Sequence, residues 1–185
     1  MRFKVLKEKT VFDSKLKILE GEIGDGIEPT FSRLCLKRED ASVVLILNTD
    51  SNKVVLTKQF RYPITAKVQD EILEIVAGKV DEGEEPLTTA IRETEEETGY
   101  IIRPGQIKFL FSCFASPGYS SERFFVYYAT VTNQDKKAKG GGLEIENEHI
   151  EVVEIDVNEF NTSIRNGDIK DAKTYLAGLY LLSLK

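Results

Sequence analysis

Tryptophan is missing from this 185-residue chain, histidine occurs once and cysteine twice. With His149 alone and no Cys-x-x-Cys pair, a zinc site of the usual ligand types is excluded. Cys35 and Cys113 sit in the apolar stretches 34–36 and 112–114 and read as buried free thiols. Ten Phe and seven Tyr remain to supply large core side chains. Long hydrophobic runs are absent too. The longest mid-chain stretch, 43–47, is far too short for a bilayer. The first ten residues, MRFKVLKEKT, have no apolar run of the signal-peptide kind. The expectation is a cytoplasmic protein with no membrane partner. An excess of positive charge is also missing: the formal net charge is -6. That weighs against a nucleic-acid partner. A small anionic ligand needs only a local cluster of cations or a metal ion.

What is present is ordinary for a soluble globular domain: 41% hydrophobic and 30% charged residues. The length suits one domain. Residues 1–36 alternate short apolar and charged groups between glycines and read as an antiparallel meander. Segments 41–47 and 53–57, joined by a polar turn, read as a core hairpin. Further strands are expected at 71–77, 107–114, 123–131 and 150–155. Pro86 in a first turn and Gly99 at a C-terminal stop bound a helix over 86–98. Asp156 and Asp171 are expected to cap two more helices, the first burying Val157, Phe160 and Ile164. The last, apolar nearly all round, is expected to pack on a sheet. Residues 133–142, polar and glycine-rich, read as a mobile loop. The pattern is a mixed sheet with helices on its faces.

The helix over 86–98 carries the chemistry. At 100° per residue, Leu87, Ala90, Ile91, Thr94 and Thr98 share one face. Glu93, Glu96 and Glu97 form a stripe on the other side. Like charges on one stripe repel, and near a helix C-terminus the macrodipole disfavours them, each effect on the order of 0.3–1 kcal/mol. Arg92 offsets part of this, and a hard divalent cation offsets far more. A bare acidic run is normally a solvated face. This run has fixed partners: Gly78, Glu84, Arg92, Glu93, Glu96, Glu97 and Gly99 stand in the spacing Gly-x5-Glu-x7-Arg-Glu-U-x-Glu-Glu-x-Gly-U, with Tyr100 at the last U.

That spacing resembles the catalytic box of the Nudix hydrolases. Thr94 departs from it, since the family usually has an aliphatic residue there. The resemblance implies an α+β fold: an α/β/α sandwich around a mixed sheet, with an N-terminal antiparallel β extension. It implies one domain over 1–185, with 1–40 a dimerisation element and 41–185 the catalytic core. It implies Mg²⁺, with Mn²⁺ as a substitute, held by Glu93, Glu96, Glu97 and the carbonyl of Ala77. Arg92 would orient the glutamates and Glu84 would brace the loop–helix–loop. The reaction implied is attack by water on a phosphorus of a diphosphate.

Segments outside the box resemble one branch of that family, the ADP-ribose and nucleotide-sugar pyrophosphatases. They are 59–61, 73–78, 115–123 and 142–152. On that resemblance Arg61, Glu74, Pro117 and Glu122 are candidate substrate-binding residues, and Glu146, then Glu148, candidates for the general base. Glu96 and Arg92 complete the catalytic set. Phe12, Phe31 and Arg33 could line a nucleotide pocket built by a homodimer. Arg61 as a surface ion pair, Pro117 as a plain turn, and solvated Glu146 and Glu148 stay open as the plainer readings. Run 116–123 favours ADP-ribose. Runs 140–143, 150–154 and 164–174 favour GDP-mannose or a UDP-sugar. ADP-ribose, giving AMP and ribose 5-phosphate, is ranked first. A ligand sensor that has lost catalysis is the alternative of another class, but such domains usually lose a box residue and none is missing here.

Overall fold

The computed structural model describes residues 2–27, 29–143 and 149–184. The chain divides into two compact units, Met1–Asp40 with Cys113–Arg123, and Ala41–Ser112 with Phe124–Lys185.

In the first unit β1 (Lys4–Asp13), β2 (Lys17–Gly24) and β3 (Phe31–Lys37) form an antiparallel sheet in the order β1-β2-β3, as the alternating pattern implied. All of β1 is exposed. The Arg33 guanidinium stacks over the Phe31 ring at 4.7 Å, and Phe12 is exposed. The tight turn at Pro117 belongs to this unit, with Ser120 N–H donating to the Ser116 carbonyl at 2.9 Å.

The second unit is built on a seven-stranded mixed sheet. Its strands are β4 (Ala41–Asn48), β5 (Lys53–Gln59), β6 (Ile72–Glu74), β7 (Val76–Lys79), β8 (Ile107–Phe114), β9 (Arg123–Val131) and β10 (Glu151–Asp156). The main order is β10-β5-β4-β9-β8, with β9 parallel to β4. Helix α1 (Pro86–Thr98) covers one face, and α2 (Val157–Asn166) and α3 (Ala172–Ser183) cover the other. Because β4 is covered on both sides, its central residues 43–47 are apolar at every position rather than at alternate ones. Val43 and Leu45 face α2 and α3, packing with Leu56, Phe160, Ile164 and Leu181. Val44 and Ile46 face α1, packing with Val76, Ala90, Tyr100 and Ala129. Both Asp caps form: Asp156 accepts from Asn158 N–H and Asp171 from Thr174 N–H. Among the described residues no helix is long and apolar enough to cross a membrane.

Four expectations need correction. The strand expected over 71–77 is two strands. β4 and β5 pair through Ile46↔Val55 and then part. β6 continues along β5 and β7 continues along β4, filling the gap. The break falls at Ile75, whose N–H leaves the ladder to reach Thr174 Oγ1 at 2.8 Å. Segment 133–142 is not a free loop. Asn133–Asp135 is a 3-10 turn closed by a Thr132–Asp135 capping box, and the residues after it are hydrogen-bonded to the end of α1. Its polar composition suggested solvent, whereas its N–H groups meet helix carbonyls. Cys35 and Cys113 are free but only half-buried, because both lie on strands of partial exposure. Leu87 is 44% exposed. The first turn of α1 buries Thr89 instead, whose hydroxyl donates to Glu84 Oε2 at 2.7 Å.

Candidate active site

Helix α1 begins with Pro86 at its first turn and ends at Gly99 in the left-handed conformation, φ 74°. Its inner face is Ala90, Thr94 and Thr98, all fully buried. Thr94 stands in place of an aliphatic residue without leaving an orphan hydroxyl, since Oγ1 donates to the Ala90 carbonyl at 2.8 Å. Packing of that face on β4 and β7 lays the helix beside Ala77 and Gly78. The approach is very close. A Cβ on residue 78 would sit 2.0 Å from Cδ of Glu93. The space that Gly78 leaves open is filled by the carboxyl group across from it, while its own backbone makes no demand for glycine.

Arg92 organises the outer side. Its Nη1 donates to Glu93 Oε1 at 2.8 Å and to Glu96 Oε2 at 3.0 Å. Its Nη2 reaches Glu84 Oε2 at 3.2 Å. The Glu84 carboxylate beside it raises the Arg92 pKa. In return Arg92 and the Thr89 hydroxyl hold Glu84 below the ordinary carboxylate value. One guanidinium thus serves three carboxylates, which only its forked geometry permits. Glu97 is 6% exposed and points inward.

These donors suit a hard divalent cation in chemistry: every one is an oxygen, and several carry charge. The carboxyl group laid across Gly78 puts one donor against the β7 backbone. With Arg92 between Glu93 and Glu96, no three acids among the described residues converge as a ready cation cage. Binding of an ion would draw Glu93 and Glu96 off Arg92. A cleft of about 560 Å³ runs along this side, lined by Arg92, Glu95, Glu96, Ala138, Lys139 and Gly140.

A second cluster sits at β6. Glu74 is 2% exposed, and Arg61 clamps it bidentately, Nε to Oε1 at 2.7 Å and Nη2 to Oε2 at 2.9 Å. Lys173 Nζ also donates to Glu74 Oε2, and to Asp171 Oδ1 at 3.0 Å. Burial alone would push the Glu74 carboxyl up, but Arg61 and Lys173 together hold it below the usual range. Arg61 rises in response to its bond with Glu74. The Arg61 side chain remains 42% exposed. Both oxygens of Glu74 are committed, so its part is to fix Arg61. Lys173 was not singled out by sequence reasoning. The available signal was a lysine in the first turn of a helix otherwise apolar nearly all round, which needs a carboxylate if buried.

The structure joins Glu84, Glu93 and Glu96 through Arg92, sets Glu93 against Gly78, the neighbour of Ala77 on β7, leaves Glu97 buried on α1, and joins Arg61 with Glu74 at β6. Pro117 is exposed in its turn, and Glu122 pairs with Arg38 at 3.6 Å; both belong to the first unit. Glu146 and Glu148 lie outside the described residues.

Comparison with known proteins agrees with the box. The NUDIX domain model matches residues 37–177. The chain is 34% identical over 181 residues to the methanol dehydrogenase activator of Bacillus methanolicus, covering 96% of this chain and 91% of that protein. It is 31% identical over 185 residues to the ADP-ribose pyrophosphatase of Bacillus subtilis (strain 168), covering 96% and 94%. It is 32% identical over 159 residues to the GDP-mannose pyrophosphatase of Escherichia coli O9:H4 (strain HS), covering 85% and 81%. With the box assembled on α1 and β7 and a family match across most of its length, the chain belongs to the Nudix family, hydrolases that act on pyrophosphate bonds.

Proposed function

We propose that this protein hydrolyses the pyrophosphate bond of a nucleoside diphosphate sugar in a Mg²⁺-dependent reaction, with ADP-ribose as first substrate and AMP and ribose 5-phosphate as products. The observation that carries the reading is the packing of Glu93 across Gly78 under a guanidinium shared with Glu84 and Glu96. A solvated acidic face needs neither the missing side chain nor the shared cation.

Glu93, Glu96, Glu97 and the Ala77 carbonyl are the residues that would hold the cation. When bound, such an ion neutralises diphosphate oxygens and makes a water more acidic. Arg92 keeps the carboxylates apart and oriented in the cation's absence. Arg61 commits Nε and Nη2 to Glu74, which leaves Nη1 of the guanidinium fork to meet an anionic oxygen of the substrate. Glu74 and Lys173 position it. Pro117 and Glu122 are retained for the sugar end, and Glu146 or Glu148 as general base, on the branch resemblance. On the same basis the protein is read as a cytoplasmic homodimer joined through residues 1–40.

ADP-ribose ranks first because the relative of that name matches nearly the full length of both chains and run 116–123 resembles that branch. GDP-mannose is the second reading, favoured by the relatives of that name and by run 164–174. The test is phosphate release, coupled to a phosphatase, across ADP-ribose, GDP-mannose, UDP-glucose and deoxynucleoside triphosphates, with and without Mg²⁺. Fastest Mg²⁺-dependent turnover on ADP-ribose supports the proposal. Faster turnover of GDP-mannose shifts the substrate, and faster turnover of triphosphates than of every nucleotide sugar overturns the branch. Binding without turnover identifies a sensor.

A further inference from the structure

The glycine-rich segment after the 3-10 turn is bound to the same two residues whose side chains are proposed as cation ligands. A helix ends with carbonyls that have no partner within the helix. In α1 the Glu95 carbonyl is taken by Gly99 N–H at 2.8 Å, the Glu97 carbonyl by Gly141 N–H at 2.8 Å, and the Glu96 carbonyl by Gly142 N–H at 3.3 Å. Lys137 N–H returns to the Gly99 carbonyl at 2.8 Å. The fit depends on two glycines facing each other. A Cβ on Gly99 would lie 2.1 Å from the Ala138 carbonyl oxygen. A Cβ on Gly140, which has φ +71°, would lie 2.5 Å from the Glu97 carbonyl oxygen and 2.7 Å from Thr98 Cα. Neither obstacle is a flexible side chain, so a methyl group must move the helix or the segment. The donated N–H groups also act where the helix is least suited to acids. Its C-terminal end carries partial negative charge, and Glu96 and Glu97 add to it.

We propose that Gly140 is a positioning residue for the hydrolysis. Segment 137–142 clamps the last turn of α1, and the absence of a side chain at 140 sets where the Glu96 and Glu97 carboxylates stand. This rests on the reading of those two residues as cation ligands. The clamp is distinct from the box, since nothing in the box spacing reaches residue 140.

The test compares Gly140→Ala with Gly167→Ala. Gly167 has a similar left-handed conformation, φ +74°, but a Cβ there would meet nothing within 4 Å. Both variants put a side chain on a residue of similar positive φ, and only the first presses on α1. Mn²⁺ binding to each purified full-length protein, followed by electron paramagnetic resonance without substrate, is the readout. Gly140→Ala is expected to weaken Mn²⁺ binding by roughly 10- to 100-fold, the usual range for a residue that orients ligands, while Gly167→Ala binds as the unaltered protein does. Equal affinities, or equal losses in both variants, overturn the proposal. Glu97→Gln is measured alongside. Normal Mn²⁺ binding by that variant overturns the ligand reading itself, which is a separate failure.

Should Gly140→Ala not fold, hydrogen exchange on the unaltered protein decides. Mg²⁺ is expected to raise protection of the last turn of α1 and of 137–142 together. Protection gained by the helix alone contradicts the coupling.

Discussion

The carboxyl group of Glu93 occupies the space where a side chain on residue 78 would be, 2.0 Å from an ideal Cβ. A glycine on one strand and a glutamate on the facing helix are thus one steric unit. The two are fifteen positions apart in sequence and meet only because α1 packs its Ala90–Thr94–Thr98 face against β7.

Gly78→Ala is expected to force the Glu93 side chain away from β7. Overpacking of this kind costs about 1–3 kcal/mol. Displacing a proposed ligand by about 1 Å should lower turnover on the order of 10²-fold. Urea unfolding and steady-state rates on the same preparation check both. Unchanged activity would mean that the position of Glu93 is unimportant.

Glu97→Gln keeps the shape of a nearly buried side chain and removes its charge. Turnover should fall roughly 10²–10³-fold, since a correctly placed ion supplies several kcal/mol of barrier lowering. The folded state should be as stable as before or slightly more so, because one of the carboxylates at the negative end of α1 is gone. Thermal unfolding without metal, set beside kcat, measures the separation of the two effects.

Lys173→Met tests the cluster at β6. Removing one partner from a buried ion pair typically costs about 3–5 kcal/mol, and Arg61 still faces Glu74, so a loss of about 3 kcal/mol is expected. Substrate affinity should suffer more than the chemical step, because Arg61 loses its fixed support. A rise in KM that exceeds the fall in kcat is the expected pattern. A fall in kcat alone would place Lys173 at the reacting atoms.

The same cluster sets a pH dependence. Arg61 and Lys173 hold Glu74 below its ordinary value of 4.5. A depressed carboxyl contributes stability that is complete above the unfolded value and is lost as pH falls through the folded one. The stability difference between the unaltered protein and Lys173→Met should therefore be flat from about pH 6 to 8. It should shrink only below pH 4.5, as Glu74 takes up a proton. Chemical unfolding across that range measures it. A difference that widens on acidification contradicts the assignment.

Much of α1 was legible in the sequence because local rules govern it. Pro86 and Gly99 mark its ends, and the spacing of Gly78, Glu84, Arg92 and the glutamates is a covalent fact of the chain. The hairpin of β4 and β5, the Asp156 and Asp171 caps and the three-stranded meander follow from equally local signals. The division of β6 from β7 was not legible. It depends on β4 and β5 parting beyond Ile46 and Val55, which no periodicity within 71–79 records. Segment 137–142 misled for a related reason: Gly140, which suggests freedom, stands where the Glu97 carbonyl and the Thr98 backbone leave no room for anything larger. Lys173 went unnoticed because its partner, Glu74, is 99 residues away.

The most direct measurement is a crystal structure of the full chain with Mg²⁺ and an ADP-ribose analogue whose bridging diphosphate oxygen is a methylene group. The account predicts metal density touching Glu93, Glu96, Glu97 and the Ala77 carbonyl, with the diphosphate against it and Arg61 on an anionic oxygen. Metal and analogue bound away from α1, with Arg92 still bridging Glu93 and Glu96, would contradict it.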